Sequence, residues 1–275
     1  MSPPSPLMAG RRGLVMGVAN DHSIAWGIAQ LLASHGAEMA FTYQGDALLR
    51  RVKPLAESLN APLILPCDVT NDNDLDQLLS TLEREWQTLD FVVHAIAWSG
   101  KDQLQGAYIN TDRDSFLKTM DISCYSLTAI AQRIAPLMTG ETGGGIITLS
   151  YGGSERVMPS YNVMGVAKAA LESSVRYLAA DLGPQGVRIN AISAGPVRTL
   201  SGAAVAGARR VAKWSQRHAA LPDVTIEPDH VAGAALYLLS DLSTRVTGEV
   251  LYVDAGYRTM GMPRGDSLAT LTDDA

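Results

Sequence analysis

The chain has 275 residues, of which 47% are apolar and 18% charged, with a formal net charge of −6. That length and composition suit one large α/β domain around a buried core and exclude a chain disordered throughout, while the negative balance argues against nucleic acid as the partner. Two cysteines, Cys67 and Cys124, exclude a disulfide scaffold and point to the cytoplasm, and no apolar run reaches the roughly 18 residues that a membrane helix needs.

The Ser- and Pro-rich start reads as a loose tail over residues 1–9. Leu14-Val15-Met16-Gly17-Val18 then reads as a buried strand, followed by a helix through Ile24, Ile28, Leu31 and Leu32. A second strand at 39–43 precedes a helix that opens at Asp46. A third strand covers 63–65 and a third helix 72–86. Strands at 91–96 and 145–150 flank a helix over about 115–135. A long helix spans about 161–182, and strands at 187–192 and 250–253 enclose a last helix at 229–240. Apolar strands alternating with amphipathic helices predict a parallel sheet covered on both faces. Right-handed crossovers make it a doubly wound, Rossmann-type sheet of about seven strands. The alternation breaks at 200–223, an Ala-rich, basic, helical stretch that suits a lid over the site. One domain over 10–258 and a C-terminal tail over 259–275 complete the expected organisation.

Gly17 and Gly27 bracket the first turn from strand to helix, where a small residue lets backbone approach a pyrophosphate. Ser23 can cap the helix and donate to a phosphate. The spacing is not G-x-G-x-x-G, and a plain glycine turn fits equally well. Gln44 ends the second strand where dinucleotide enzymes carry a ribose-binding side chain. Being neutral, with no basic residue before Arg50, it favours NADH over NADPH; a solvated loop residue next to a capping Asp46 is the alternative. Asp68, after the third strand, sits where an adenine would lie or serves only as a turn residue. Small residues at Ala95-Ile96-Ala97 suit a cofactor resting on backbone.

Tyr161 and Lys168 are seven residues apart, two helical turns, and so share a face. An ammonium near a phenol favours the phenolate, and such a pair makes a proton donor that also stabilises an oxyanion. A core tyrosine and a snorkelling lysine give the same spacing.

Beyond this point the residues carry a resemblance. Gly17-Val18-Ala19, Ser23-Ile24-Ala25, Phe41-Thr42-Tyr43-Gln44, Cys67-Asp68-Val69, Tyr161-Asn162-Val163-Met164-Gly165, Asn190-Ala191-Ile192-Ser193-Ala194-Gly195-Pro196 and Ser240-Asp241-Leu242-Ser243 together resemble the enoyl-acyl-carrier-protein reductases of the short-chain dehydrogenase/reductase superfamily. The likeness runs from about residue 10 to residue 257. Most superfamily members place a Tyr four residues before the Lys; here Met164 stands there and the Tyr lies seven before, as in the enoyl reductases.

The resemblance implies reduction of the double bond of an enoyl thioester held by acyl carrier protein, with NADH as cofactor, no metal, and a homotetramer. It makes Tyr161 the partner of the thioester oxygen, Lys168 the holder of the nicotinamide ribose, and Tyr151 a third member lining the acyl pocket. Gly17, Ser23, Ile24, Gln44, Asp68, Val69, Ile96, Val197 and Thr199 become cofactor contacts. Ser99 and Ala208 join the substrate contacts, and Arg209 and Arg210 form the carrier-docking pair. Four positions depart from the family pattern: Ala208 replaces a common Phe, Leu221-Pro222-Asp223 a basic pair, and Ala97 and Ala255 two glycines. Two rival readings remain: a carbonyl reductase of the same superfamily, and a nucleotide-binding regulator without turnover.

Overall fold

Seven strands, all parallel, form a sheet ordered β3-β2-β1-β4-β5-β6-β7 in a computed structural model that describes residues 6–138 and 143–263. In chain order they are β1 (Arg12–Met16), β2 (Glu38–Tyr43), β3 (Leu63–Pro66), β4 (Phe91–His94), β5 (Gly145–Tyr151), β6 (Arg188–Ala194) and β7 (Val250–Val253). The helices between them are α1 (Ile24–Ser34), α2 (Gly45–Ser58), α3 (Asp72–Trp86), α4 (Arg113–Met120), α5 (Ser126–Ile134), α6 (Val163–Leu182), α7 (Leu200–Ala203), α8 (Ala208–His218) and α9 (Pro228–Leu239). Strand order reverses direction between β1 and β4, which opens a crevice beyond their carboxyl ends, where ligands of doubly wound sheets bind.

Each face of the sheet has its own core. Leu75, Leu78 and Leu82 of α3, Ile130 and Ile134 of α5, and Leu171 and Val175 of α6 cover one face. Ile28 and Leu32 of α1, Val52 of α2, and Val231 and Leu238 of α9 cover the other. This double cover explains why the strands read as continuous apolar runs rather than alternating ones.

Four boundaries differ from expectation, each for a physical reason. Met8 is fully buried and its N–H donates to the His35 carbonyl, so the chain is pinned before residue 10. Residues 1–5 and most of the expected C-terminal tail lie outside the described residues. β4 stops at His94, because beyond the Ala95 N–H bond to Met16 the chain leaves the ladder at the crevice. The helix expected over 115–135 is α4 and α5 joined by one π turn, Asp121–Tyr125. There Ser123 Oγ bonds both the N–H and the carbonyl of Trp98, and Ser126 Oγ donates to the Ile122 carbonyl. The lid is also two helices, with Gly207 in the left-handed region between them.

Candidate active site

The turn after β1 carries the first group of expected contacts. Gly17 has φ +91°, and a Cβ there would overlap the Ala95 carbonyl oxygen, so only glycine lets β1 turn this close to the end of β4. Ser23 stands at the N-cap position of α1 but makes no cap bond to the helix. Its oxygen instead accepts from the N–H groups of Ala19 and Asn20, and its hydroxyl donates to Asn20 Oδ1, which corrects the expectation that it caps α1. The first turn of α1, Ile24 included, has no acidic residue, so the helix end stays favourable to an anion. These features fit a dinucleotide pyrophosphate.

Gln44, exposed at the end of β2, donates from Nε2 to Asp68 Oδ2 at 2.7 Å. The turn reading of Asp68 holds: its other oxygen accepts from the N–H and hydroxyl of Thr70, an Asx turn, while Oδ2 reaches Gln44. These bonds hold its carboxyl below the usual range against the opposing effect of partial burial, which is the largest single influence on it. Val69 and Ile96 are half-buried and pack against the core on the crevice side of the sheet. Asp46 falls inside the first turn of α2 and is not its cap, since Gln44 holds that position.

Tyr161 is not on the helix. α6 begins at Val163, and Ser160 and Asn162 on either side of Tyr161 have positive φ. Its placement therefore owes nothing to two turns of helical spacing. Packing sets it instead. The Met164 N–H donates to the Tyr161 carbonyl at 3.0 Å, and a Cβ at Gly153 would overlap the Tyr161 ring. The Tyr151 ring, from the end of β5, meets the Tyr161 ring edge-on with centroids 4.9 Å apart. The expected phenolate does not follow. Burial, reinforced by Tyr151 and Glu172, pushes Tyr161 well above an ordinary phenol, and burial with Tyr257 raises Tyr151 to about 12. At neutral pH both are O–H donors.

Lys168 is 6% exposed, and its Nζ donates to the Leu149 carbonyl at 2.7 Å. Burial lowers it to about 8, opposed by Cys124 and Glu172. The predicted snorkelling alternative is thus excluded: the ammonium is inside, on the backbone of β5. Below it His94 is wholly buried between Thr148 Oγ1 (3.0 Å) and Ser126 Oγ (2.9 Å), and burial, then Lys168, depress it to about 3.

On the lid side, Leu104, Met164 and Ala167 form a small apolar cluster joined by Met120, Tyr161, Ala204 and Val205. Ala208 is not part of it. Its position at the start of α8 follows the left-handed turn at Gly207, and the residues of this stretch that pack against the cluster are Ala204 and Val205. One backbone bond, Ala206 N–H to the Leu104 carbonyl, fastens the lid there. Ser99 is half-buried and accepts from Thr119 Oγ1 at 3.4 Å. Val197 packs with the other face of the sheet, and the Thr199 oxygen accepts from the Gly202 N–H, leaving its hydroxyl proton for another acceptor. Arg209 and Arg210 are exposed, with Lys213 and Arg217, along α8. Among the described residues none of these four has an acidic partner.

Two residues of the site had no predicted role. Trp98 lies under the Lys118 ammonium, 4.6 Å from its ring centre. Asn162 donates from Nδ2 towards the carbonyls of Gln103, Gln105 and Gly106, tying the loop before α4 to the base of α6. Its place in the quoted Tyr161-Asn162-Val163-Met164-Gly165 run was the available signal.

The chain as a whole is similar to known proteins over most of its length. A family model described as enoyl-(acyl carrier protein) reductase matches residues 17–258. An enoyl-[acyl-carrier-protein] reductase [NADH] of Rhizobium meliloti is 59% identical over 95% of this chain and 97% of its own length. A crystal structure of FabI from Candidatus Liberibacter asiaticus superposes with TM-score 0.91 and 52% identity, covering 94% of this chain and 99% of that one. An enoyl-(acyl-carrier-protein) reductase from Anaplasma phagocytophilum, solved in complex with NAD, gives TM-score 0.89 and 51% identity, covering 94% and 97%. On likeness of this extent, the chain belongs to the enoyl-(acyl carrier protein) reductase family.

Proposed function

We propose that the protein reduces the double bond of an enoyl thioester carried by acyl carrier protein, using NADH. The observation that carries this reading is the Tyr151–Tyr161 pair at the end of β5, with buried Lys168 bonded to the backbone of the same strand. Bound at the turn after β1, the nicotinamide cofactor supplies the hydride that goes to the β-carbon of the substrate. The chain's own residues orient and stabilise. Tyr161, kept protonated by its burial, donates to the thioester oxygen as negative charge develops there. Tyr151 packs against its ring and fixes its direction. Lys168 holds ribose hydroxyls as an ammonium, and Ala204 and Val205 exclude water from the acyl end.

Gln44 and Asp68 offer no cation to an additional phosphate, which supports NADH as the cofactor. Arg209 and Arg210, unpaired on α8, dock the acidic carrier protein. The free, buried cysteines suit the cytoplasm, and among the described residues no helix is long and apolar enough to cross a membrane. A homotetramer has two faces to draw on. One is the row Val166, Ala170, Ser173 and Tyr177 on α6, exposed at Val166 and Tyr177 and half-buried at Ala170 and Ser173; the other is the half-buried edge strand β7.

NADH oxidation with a crotonyl thioester tests the reaction. Tyr161→Phe lowers turnover by about 100-fold or more with NADH affinity nearly intact, whereas Lys168→Ala weakens NADH binding as well. Wild-type kinetics in both variants would overturn the reading, and preference for a ketone substrate would favour a carbonyl reductase.

A further inference from the structure

Glu172 takes no part in the chemistry described above. It lies on α6 one turn beyond Lys168, is 6% exposed, and with Lys168 makes up the buried Asp, Glu, Lys and Arg side chains among the described residues. A carboxylate taken out of water costs several kcal/mol unless its surroundings compensate. Here one oxygen accepts two hydroxyl donors, Ser150 Oγ and Ser154 Oγ, the latter at 2.7 Å.

Those two serines flank the Tyr151-Gly152-Gly153 corner. Ser150 ends the buried part of β5, and Ser154 closes the short 3-10 turn Gly152–Ser154. The corner is tightly fitted: an added Cβ at Gly165 would approach the Gly153 carbonyl oxygen to 2.7 Å, and Gly153 itself abuts Tyr161. Whatever fixes this corner on α6 therefore fixes both tyrosine rings. The i, i+4 spacing also puts the Glu172 and Lys168 side chains on one face of α6.

We propose that Glu172 is a positioning residue of the reaction: it clamps the Tyr151 corner onto α6 through Ser150 and Ser154, and its negative charge keeps Lys168 an ammonium inside the protein. This rests on the roles assigned to Tyr161 and Lys168 above. The groups facing Lys168 from packed elements are His94 on β4, Cys124 on the π turn, and Glu172. Glu172 is in turn faced by Tyr161 and by Tyr252 on β7. Among these Glu172 is the carboxylate.

NADH affinity measured by fluorescence across pH, alongside the pH profile of kcat/KM, separates the two functions of the side chain. Wild-type affinity should weaken on an alkaline limb near pH 8, where Lys168 is expected to lose its proton. Glu172→Gln keeps an oxygen for the serines but removes the charge, so the Lys168 ammonium loses its anion and the limb moves down by about one pH unit. A Ser150→Ala/Ser154→Ala double variant keeps the charge and removes the clamp, leaving the limb in place and lowering kcat about tenfold. Identical alkaline limbs in wild type and the Gln variant, both folded by thermal melting, would overturn the counter-charge role, and unchanged kcat in the double variant would overturn the clamp. If those results come with the expected loss in Tyr161→Phe, the reaction stands and only Glu172 loses its role. Lys168→Ala retaining the alkaline limb would instead remove the Lys168 assignment, and the counter-charge role with it.

Discussion

The two walls of the active site are built in opposite ways. The cofactor wall consists of the carboxyl ends of β1, β4 and β5, backed by residues of near-zero exposure such as Val15, Val93 and Ile147. The proposed acyl wall consists of α7, α8 and the loop between them; one backbone bond and a few small apolar contacts fasten that loop to Leu104, and α8 buries only Ser215 and His218. A wall that must hold one cofactor geometry is made from the cooperative core, and a wall that must admit acyl chains is made from a segment of low local stability. A given chemical change should therefore have different effects on the two sides.

The largest contrast is a pair of Gly→Ala changes at left-handed positions. At Gly17 the added Cβ meets the Ala95 backbone and cannot relax, so the substitution costs on the order of 3–5 kcal/mol and abolishes NADH binding. At Gly207 the nearest atoms to an added Cβ are the guanidinium nitrogens of Arg210 at 3.8 Å and beyond, so only the backbone penalty remains, about 1–2 kcal/mol. Chemical denaturation of the two variants checks this; equal losses would mean that the walls are equally rigid.

A second effect on the cofactor wall, spread over a range of pH, comes from His94. Its folded-state value near 3 lies below that of an exposed imidazole, so between about pH 6.5 and 3 the unfolded chain binds a proton that the folded chain does not. Stability from this residue is present above that window and lost as pH falls through it, at a slope of up to about 1.4 kcal/mol per unit. Replacement by Gln, which can still reach Ser126 or Thr148, should flatten the acid limb of a stability–pH curve. An unchanged slope would assign the acid limb to other groups.

The smallest effect on stability belongs to the lid. Reversing Arg209 and Arg210 to Glu changes exposed, unpaired side chains and should shift stability by no more than about 0.5 kcal/mol. It should nevertheless raise KM for a carrier-bound substrate and weaken its salt dependence, with little change for a short coenzyme A thioester. Equal effects on both substrates would mean that the basic row supports lid closure rather than docking.

Most of the cofactor wall was legible in the sequence, because strands buried on both faces leave continuous apolar runs; helix α3 and strand β7 lie where the pattern places them. The acyl wall was less so. Ala204, Val205 and Ala208 are the same kind of small apolar residue, and the turn at Gly207 separates the two that pack against the Leu104, Met164 and Ala167 cluster from the one that does not. Tyr161 was found for an incomplete reason: helical spacing suggested it, but packing against Gly153 places it. Glu172 was invisible, since a glutamate in an amphipathic helix ordinarily faces water, and its serine partners are 22 and 18 residues away.

The π turn between α4 and α5 has a further consequence, for how the chain tolerates a change of length. It holds one more residue than a regular helix would need, and Ser123 and Ser126 reach Trp98 and His94 from within or just after it. Deleting a single residue from Asp121–Tyr125 would restore an unbroken α-helical ladder while turning everything on one side by about 100° relative to the other. The better-bonded helix would aim its serines at the wrong neighbours. Single-residue deletions in this stretch should therefore be among the least tolerated in the chain, although the lost residue makes the helix itself more regular.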